Sequence, residues 1–301
     1  MLVNQQYLGI LWCFLGAVLF SVKAIFVKLA YAYEVDSVSL LTLRMLFSLP
    51  LFLLMAYFAN RERNKQSSLS RTDILKVALI GLFGYYAASL LDFSGLQYIS
   101  AGLERLILYT YPTLVVLLSA IVYRRRVKAI QLVALICTYI GIFLALSDQS
   151  IAIQETKYTW WGVSLVAASA LSYAVYVVQS GELVPRIGTF RFTAIAMCTA
   201  AVAIILHCGI FHGLAIFHFE RPVYGYALAI ACISTVLPSL MVSEGIRLVG
   251  ANTAAIVGGV GPVSTIILAY FFLDETFGNL QILGTASVII GVLLLSSHRA
   301  S

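Results

Sequence analysis

The feature that most constrains this chain is its succession of long apolar runs, broken only by short polar connections. Each run is about 18–25 residues, the length at which an α-helix crosses the roughly 30 Å hydrocarbon core of a bilayer. Ten runs can be placed, at approximately 7–30, 37–59, 74–96, 101–123, 129–147, 160–181, 191–211, 224–246, 252–272 and 278–296. Barrel strands would alternate over about ten residues each, so helices are predicted. The longest polar stretches, Asn60–Asp73, Asp148–Thr159 and His212–Pro222, leave no room for a water-soluble domain. The predicted class is an all-α membrane protein of ten transmembrane helices.

Composition agrees. Only 11% of the 301 residues are charged, against roughly 25% in soluble domains, and the mean hydropathy is +0.97. Too few ionisable groups remain to clothe a water-facing surface, which excludes a soluble enzyme. A net charge of +6 could suit nucleic acid, but the basic residues fall in short clusters between apolar runs rather than on one face, so no nucleic-acid partner is expected. Met1–Gln6 lacks the basic start of a signal peptide, and the first run is predicted to stay as helix one. Cys13, Cys137, Cys198, Cys208 and Cys232 all fall inside apolar runs without CxxC spacing. They read as small apolar fillers, with no disulfide, metal or cofactor framework.

The basic clusters set an orientation. With both termini cytoplasmic, the inner segments hold Arg61, Arg63, Lys65, Arg71, Lys76, Arg124, Arg125, Arg126, Lys128, Arg186, Arg191, Arg247 and Arg299. The outer segments hold Lys157 and Arg221, with Lys28 near a helix end, and collect the acids Glu34, Asp36, Asp148, Glu155, Glu220, Asp274 and Glu275. The predicted location is a bacterial inner (cell) membrane, with the lipid bilayer as the surrounding partner.

The chain also repeats itself. A shift of 150 residues pairs Ser89 with Ser239, Gly95 with Gly245, Pro112 with Pro262, Gln131 with Gln281 and Gly141 with Gly291. The first runs align at 153, matching Gly9 with Gly162. Residues 1–150 and 151–301 thus form two five-helix repeats. An odd number of spans per repeat turns the second upside down, an inverted topology of the kind transporters use. Arg124 and Arg125 align with Asp274 and Glu275. That reversal of charge is what inversion demands of loops on opposite faces.

The segment "ANTAAIVGGVGPVSTIILAYFFLDETFGNLQILGTASVIIGVLLL" carries a Pro in helix nine, a Glu just after it, then a Gln and Gly entering helix ten: Pro262, Glu275, Gln281, Gly284 and Gly291. In these residues, and over essentially its whole length, the chain resembles the drug/metabolite transporter superfamily, specifically its EamA-type ten-helix members. The first repeat matches through Pro112, Gln131 and Gly141 but has Arg125 where the pattern has glutamate. The resemblance implies two inverted five-helix repeats around a central cavity and alternating-access export or exchange of small metabolites, and it does not name the cargo.

Ionisable groups inside the bilayer are costly and usually face a cavity or one another. Five cluster in the first repeat: Lys23, Arg44, Asp92, Glu104 and Arg105. The topology sets all five at similar depth between the outer rim and the midplane. Three cations against two carboxylates make a slightly positive pocket, suited to a zwitterionic or anionic metabolite. Lys23 and Arg44 are candidates for substrate contact, with Arg105 behind them; Asp92 and Glu104 are candidates for pairing or for carrying a coupling proton. A plainer reading stays open, in which Lys23 or Lys28 snorkels to the headgroups and Arg44–Asp92 or Arg105–Glu104 are structural pairs.

Helix breakers supply the second set of candidates. Pro112 and Pro262 lie within helices four and nine, and Pro238 interrupts helix eight. With Gly258, Gly259 and Gly261, they read as a hinge or cavity wall, or as packing through small residues. Tyr109 and Tyr111 project in different directions on a helix, so at most one is expected to line the path. Tyr85 and Tyr86 are further candidates for stacking on substrate, whereas Trp160 and Trp161 suit the interfacial belt. Glu182 and Glu244 read as solvated helix ends, and His207, Cys208, His212 and His218 lack ligand spacing for a metal. No phosphate-binding glycine loop, nucleophile elbow or HExxH is present.

The function predicted is secondary transport of small metabolites, amino acids or related compounds, by alternating access and in the export direction. The partners are the small-molecule substrate and protons as coupling ion, with the protein a monomer or homodimer. The competing reading within the class is proton-coupled efflux of amphiphilic drugs or organic cations, and outside it an intramembrane enzyme, for which Asp92 and Glu104 lack a His partner.

Overall fold

The computed structural model describes residues 2–61, 70–124, 129–147, 158–213 and 215–298. Arg63, Lys65, Arg125, Arg126, Lys128, Asp148, Glu155, Lys157 and Arg299, used above for orientation, lie outside the described residues. The described residues are helical, without strands. The first part of the chain forms α1 (Leu2–Tyr31), α2 (Ser37–Arg61), α3 (Arg71–Gly81), α4 (Ala88–Leu96), α5 (Ala101–Leu108), α6 (Tyr111–Val122) and α7 (Ala129–Leu146). The second forms α8 (Thr159–Ile187), α9 (Thr189–Phe211), α10 (Arg221–Ala231), α11 (Leu237–Gly258), α12 (Val260–Leu273) and α13 (Asn279–His298). Two π-helical segments, Leu82–Ala87 and Cys232–Val236, join α3 to α4 and α10 to α11.

Eight helical segments are long and apolar enough to cross a bilayer, from Gln5–Tyr31 through Arg221–Val242; Val260–Leu273 and Asn279–Leu294 are shorter apolar helices. Large side chains such as Ile210, Phe211 and Phe271 are more than two-thirds exposed. On a soluble protein that surface would be costly; in lipid it is the expected exterior of an integral membrane protein.

The breaks fall elsewhere than the apolar runs suggest. The expected connection near 247–251 is helical, α11 running on to Gly258, and the interruption comes at Gly259. The expected span 101–123 is likewise broken, at Tyr109–Thr110. Pro112 and Pro262 therefore sit in the first turns of α6 and α12 rather than within helices, because a proline lacks the N–H and crowds the preceding carbonyls, so the helix restarts beneath it. Pro238 is the second residue of α11, in the first turn after the second π segment, where a missing N–H is tolerated.

The packing follows a regular scheme. α1 lies against α11 and α12, α8 lies against α4 and α6, α2 pairs with α9, and α7 pairs with α13. Small residues allow the close crossings. A Cβ on Gly245 would come within 3.0 Å of the Gly9 carbonyl, and a Cβ on Gly95 within 3.0 Å of the Gly162 carbonyl. The largest apolar cluster, with Leu40, Leu41, Met45, Phe93, Leu96, Ile204 and Ile230, joins α1, α2, α4, α9 and α10.

Candidate functional site

A cavity of about 680 Å³ opens between the two parts of the chain, within the range of roughly 300–1,000 Å³ usual for small-molecule sites. Lys23, Arg44, Asp92 and Arg105 line it, as do Tyr85, Tyr109 and Tyr111. Lys23 on α1 is the hub: its Nζ lies 2.5 Å from Asp92 Oδ2 on α4 and 3.3 Å from Glu104 Oε1 on α5. Lys23 thus pairs inward instead of snorkelling to the headgroups. Glu104, fully buried, stands behind Asp92 and is not among the lining residues. Each carboxylate keeps one buried oxygen without a hydrogen bond, Asp92 Oδ1 and Glu104 Oε2.

The two arginines are held differently from the pairs expected. Among the described residues no carboxylate lies within 4 Å of Arg44 or Arg105. Arg44 Nε donates to Thr235 Oγ1 (3.0 Å), and its guanidinium carbon lies 5.4 Å from the centre of the Phe93 ring. Arg105 donates through Nη2 to Ser21 Oγ (3.4 Å), while its buried Nε has no partner. Ser21 Oγ also lies 2.8 Å from the Ala17 carbonyl and 2.9 Å from the Gly261 carbonyl, so the start of α12 meets α1 beside Arg105.

Tyrosines line the same cavity. Tyr109 and Tyr111 meet edge to face with centres 6.4 Å apart, Tyr111 meets Tyr173 at 5.0 Å, and Tyr173 stacks on Tyr176 at 5.5 Å. Tyr176 Oη is 3.0 Å from Tyr85 Oη. Both Tyr109 and Tyr111 line the cavity, against the expectation that at most one would. The turn at Tyr109–Thr110 breaks the helical phase that would have sent them apart. Tyr86 points away from the cavity, its Oη 2.8 Å from His207 Nδ1 on α9.

Comparison with known proteins agrees with this architecture. The model of the EamA-like transporter family matches residues 7–147 and, a second time, residues 160–297. This chain belongs to the EamA-like transporter family. It is 31% identical over 290 residues to "Uncharacterized transporter YcbK" of Bacillus subtilis, covering 95% of this chain and 92% of that protein. It is 26% identical to "Uncharacterized transporter sll1319" of Synechocystis, covering 100% and 96%. A crystal structure sharing 18% identity superposes with a TM-score of 0.64 over 97% of this chain and 99% of its own, a likeness of fold alone.

Of the hinge candidates in this EamA-like transporter, Pro112, Gly258 and Gly261 line the cavity, whereas Pro238, Gly259 and Pro262 are buried in the packing around it. Uncharged polar residues of the second part are not marked in the sequence as the charged ones are. Tyr173, Tyr176, Ser180, Ser234 and Thr235 also line the cavity. A signal existed for two of them, since Ser234 and Thr235 stand 150 residues after Gly84 and Tyr85. Tyr173 and Tyr176, three apart on α8, share a helix face but carry no charge to mark them.

Proposed function

We propose that this EamA-like transporter moves small metabolites, amino acids or related zwitterions, by alternating access, exporting them across a bacterial inner membrane with both termini cytoplasmic. The observation that carries this reading is the meeting of Lys23, Arg44, Asp92 and Arg105 with a wall of tyrosines at one cavity. Charges of both signs suit an amine and a carboxylate, and the rings suit the apolar part of the same molecule. Protons serve as coupling ion: Asp92 and Glu104 share the single ammonium of Lys23, so one proton on the pair brings these three groups to neutrality. Amphiphilic cations could use the tyrosine wall, but Arg44 and Arg105 oppose them. An intramembrane enzyme would need a nucleophile and base that the cavity wall does not bring together.

Residues 1–150 and 151–301 act in this reading as inverted five-helix repeats. Support comes from features recurring 150 residues apart: the π segments at Leu82–Ala87 and Cys232–Val236, and the breaks at Tyr109 and Gly259. The contacts of α1 with α11 and α12 are matched by those of α8 with α4 and α6. The test is counterflow into liposomes of purified protein, comparing labelled amino acids with organic cations. Saturable amino-acid counterflow, lost in Lys23→Met, is the expected result; counterflow of cations alone would replace this reading with drug efflux.

A further inference from the structure

Arg44 is only 7% exposed, yet its charge faces no carboxylate within 4 Å among the described residues. Its Nε is spent on Thr235 Oγ1. Thr235 is fixed in turn, its hydroxyl donating to the Ile230 carbonyl five residues back (2.8 Å), the spacing that the π segment creates. A guanidinium has five N–H donors. The four on the two Nη atoms make no hydrogen bond among the described residues, and Arg44 lines the cavity. Ser234, next to Thr235, lines the same cavity, is 2% exposed, and its Oγ has no hydrogen-bond partner. A buried cation with no carboxylate beside it and a buried hydroxyl without a partner are costly unless a ligand completes them.

We infer that Arg44, held in place by Thr235, forms with Ser234 of the second π segment an anion subsite that grips the carboxylate of the substrate. A planar carboxylate matches the free edge of the fork, which a compact ammonium could not offer. Asp92 and Glu104 both lie against Lys23, so the charge of Arg44 is left for the carboxylate of the substrate to offset. The position 150 residues earlier, Tyr85, carries no such chemistry and faces Tyr176 instead. The second π segment therefore holds the anionic end, and the rings of Tyr173 and Tyr176 in the same cavity face the apolar part of the substrate. Because α2 and the second π segment belong to different halves of the chain, an anion in the subsite ties the halves together. The inference rests on the transport reading above for the rest of the substrate, but the subsite itself requires only a carboxylate.

The test measures equilibrium binding of 3-phenylpropionate, phenylalanine and phenylalaninamide to the purified full-length protein, together with counterflow of phenylalanine. Both carboxylates are expected to bind at least roughly 100-fold more tightly than the amide. Arg44→Lys, which keeps the charge but loses the planar fork, should reduce that ratio to below about tenfold. Ser234→Ala, whose hydroxyl holds nothing else in place, should reduce it by roughly three- to tenfold. Failure of both carboxylates to bind, or a ratio unmoved by both substitutions, overturns the subsite. Binding of 3-phenylpropionate with an Arg44-dependent ratio but no amino-acid counterflow would leave the subsite standing and remove the amino-acid reading. Phenylalanine counterflow with a ratio insensitive to both variants would do the reverse.

Discussion

Removing the ammonium of Lys23 should be the most disruptive single change within the charged cluster. The side chains of Lys23, Asp92 and Glu104 are 13%, 5% and 0% exposed, which puts the network in the buried regime, where loss of one partner costs on the order of 3–5 kcal/mol. Asp92 Oδ1 and Glu104 Oε2 already lack partners, so Lys23→Ala leaves two neighbouring carboxylates without the donor they share. The contrast within the same molecule is Arg186–Asp73, at 3.8 Å with the arginine 65% exposed, for which less than about 1 kcal/mol is expected. Equilibrium unfolding in mixed SDS micelles measures both. In a double-mutant cycle, Lys23→Ala with Glu104→Gln should cost less than the two singles summed, with a coupling above roughly 1 kcal/mol. Additive singles, or a Lys23→Ala cost no greater than that of Arg186→Ala, would refute the shared-donor account.

Two further outcomes follow from packing and capping. Gly95→Ala places a methyl against Val166 and within 3.0 Å of the Gly162 carbonyl, an overpacking expected to cost about 1–3 kcal/mol in the same unfolding assay; Gly181→Ala, on α8 with nothing within 4 Å, should instead stabilise by about 0.5–1 kcal/mol. Glu275 accepts from the Ala101 N–H (2.7 Å) and the Gly102 N–H (3.2 Å), closing the start of α5 from across the molecule, so Glu275→Ala should cost about 1–2 kcal/mol and Glu275→Gln less.

The charged cluster was legible because charge inside an apolar run stands out whatever the fold around it. Lys23, Arg44, Asp92, Glu104 and Arg105 could all be named from the sequence, and four of the five line the cavity. Their partners could not be named. The alternative in which Arg44 pairs with Asp92 and Arg105 with Glu104 fails, because the structure gives both carboxylates to Lys23 and both arginines to hydroxyls. Depth along a helix follows from residue count, but rotation about the helix axis depends on neighbours. For the same reason Tyr86 and Tyr85 part company, one toward His207 and one toward Tyr176.

The apolar runs by themselves determined a helical membrane protein, because backbone groups in lipid must bond within their own segment and about 20 residues are needed to cross. The 150-residue periodicity was equally plain, since identities such as Pro112 with Pro262 survive in the chain whatever its packing. Only the tertiary structure decided where the helices break, at Tyr109–Thr110 and Gly259, and that polar residues from α8 and the second π segment complete the cavity. Ser234, Thr235, Tyr173 and Tyr176 are uncharged, so the bilayer penalty that betrayed the lysine, arginines and acids leaves no mark on them. Their role depends on what lies across the cavity, and that is set by the packing of one half of the chain against the other.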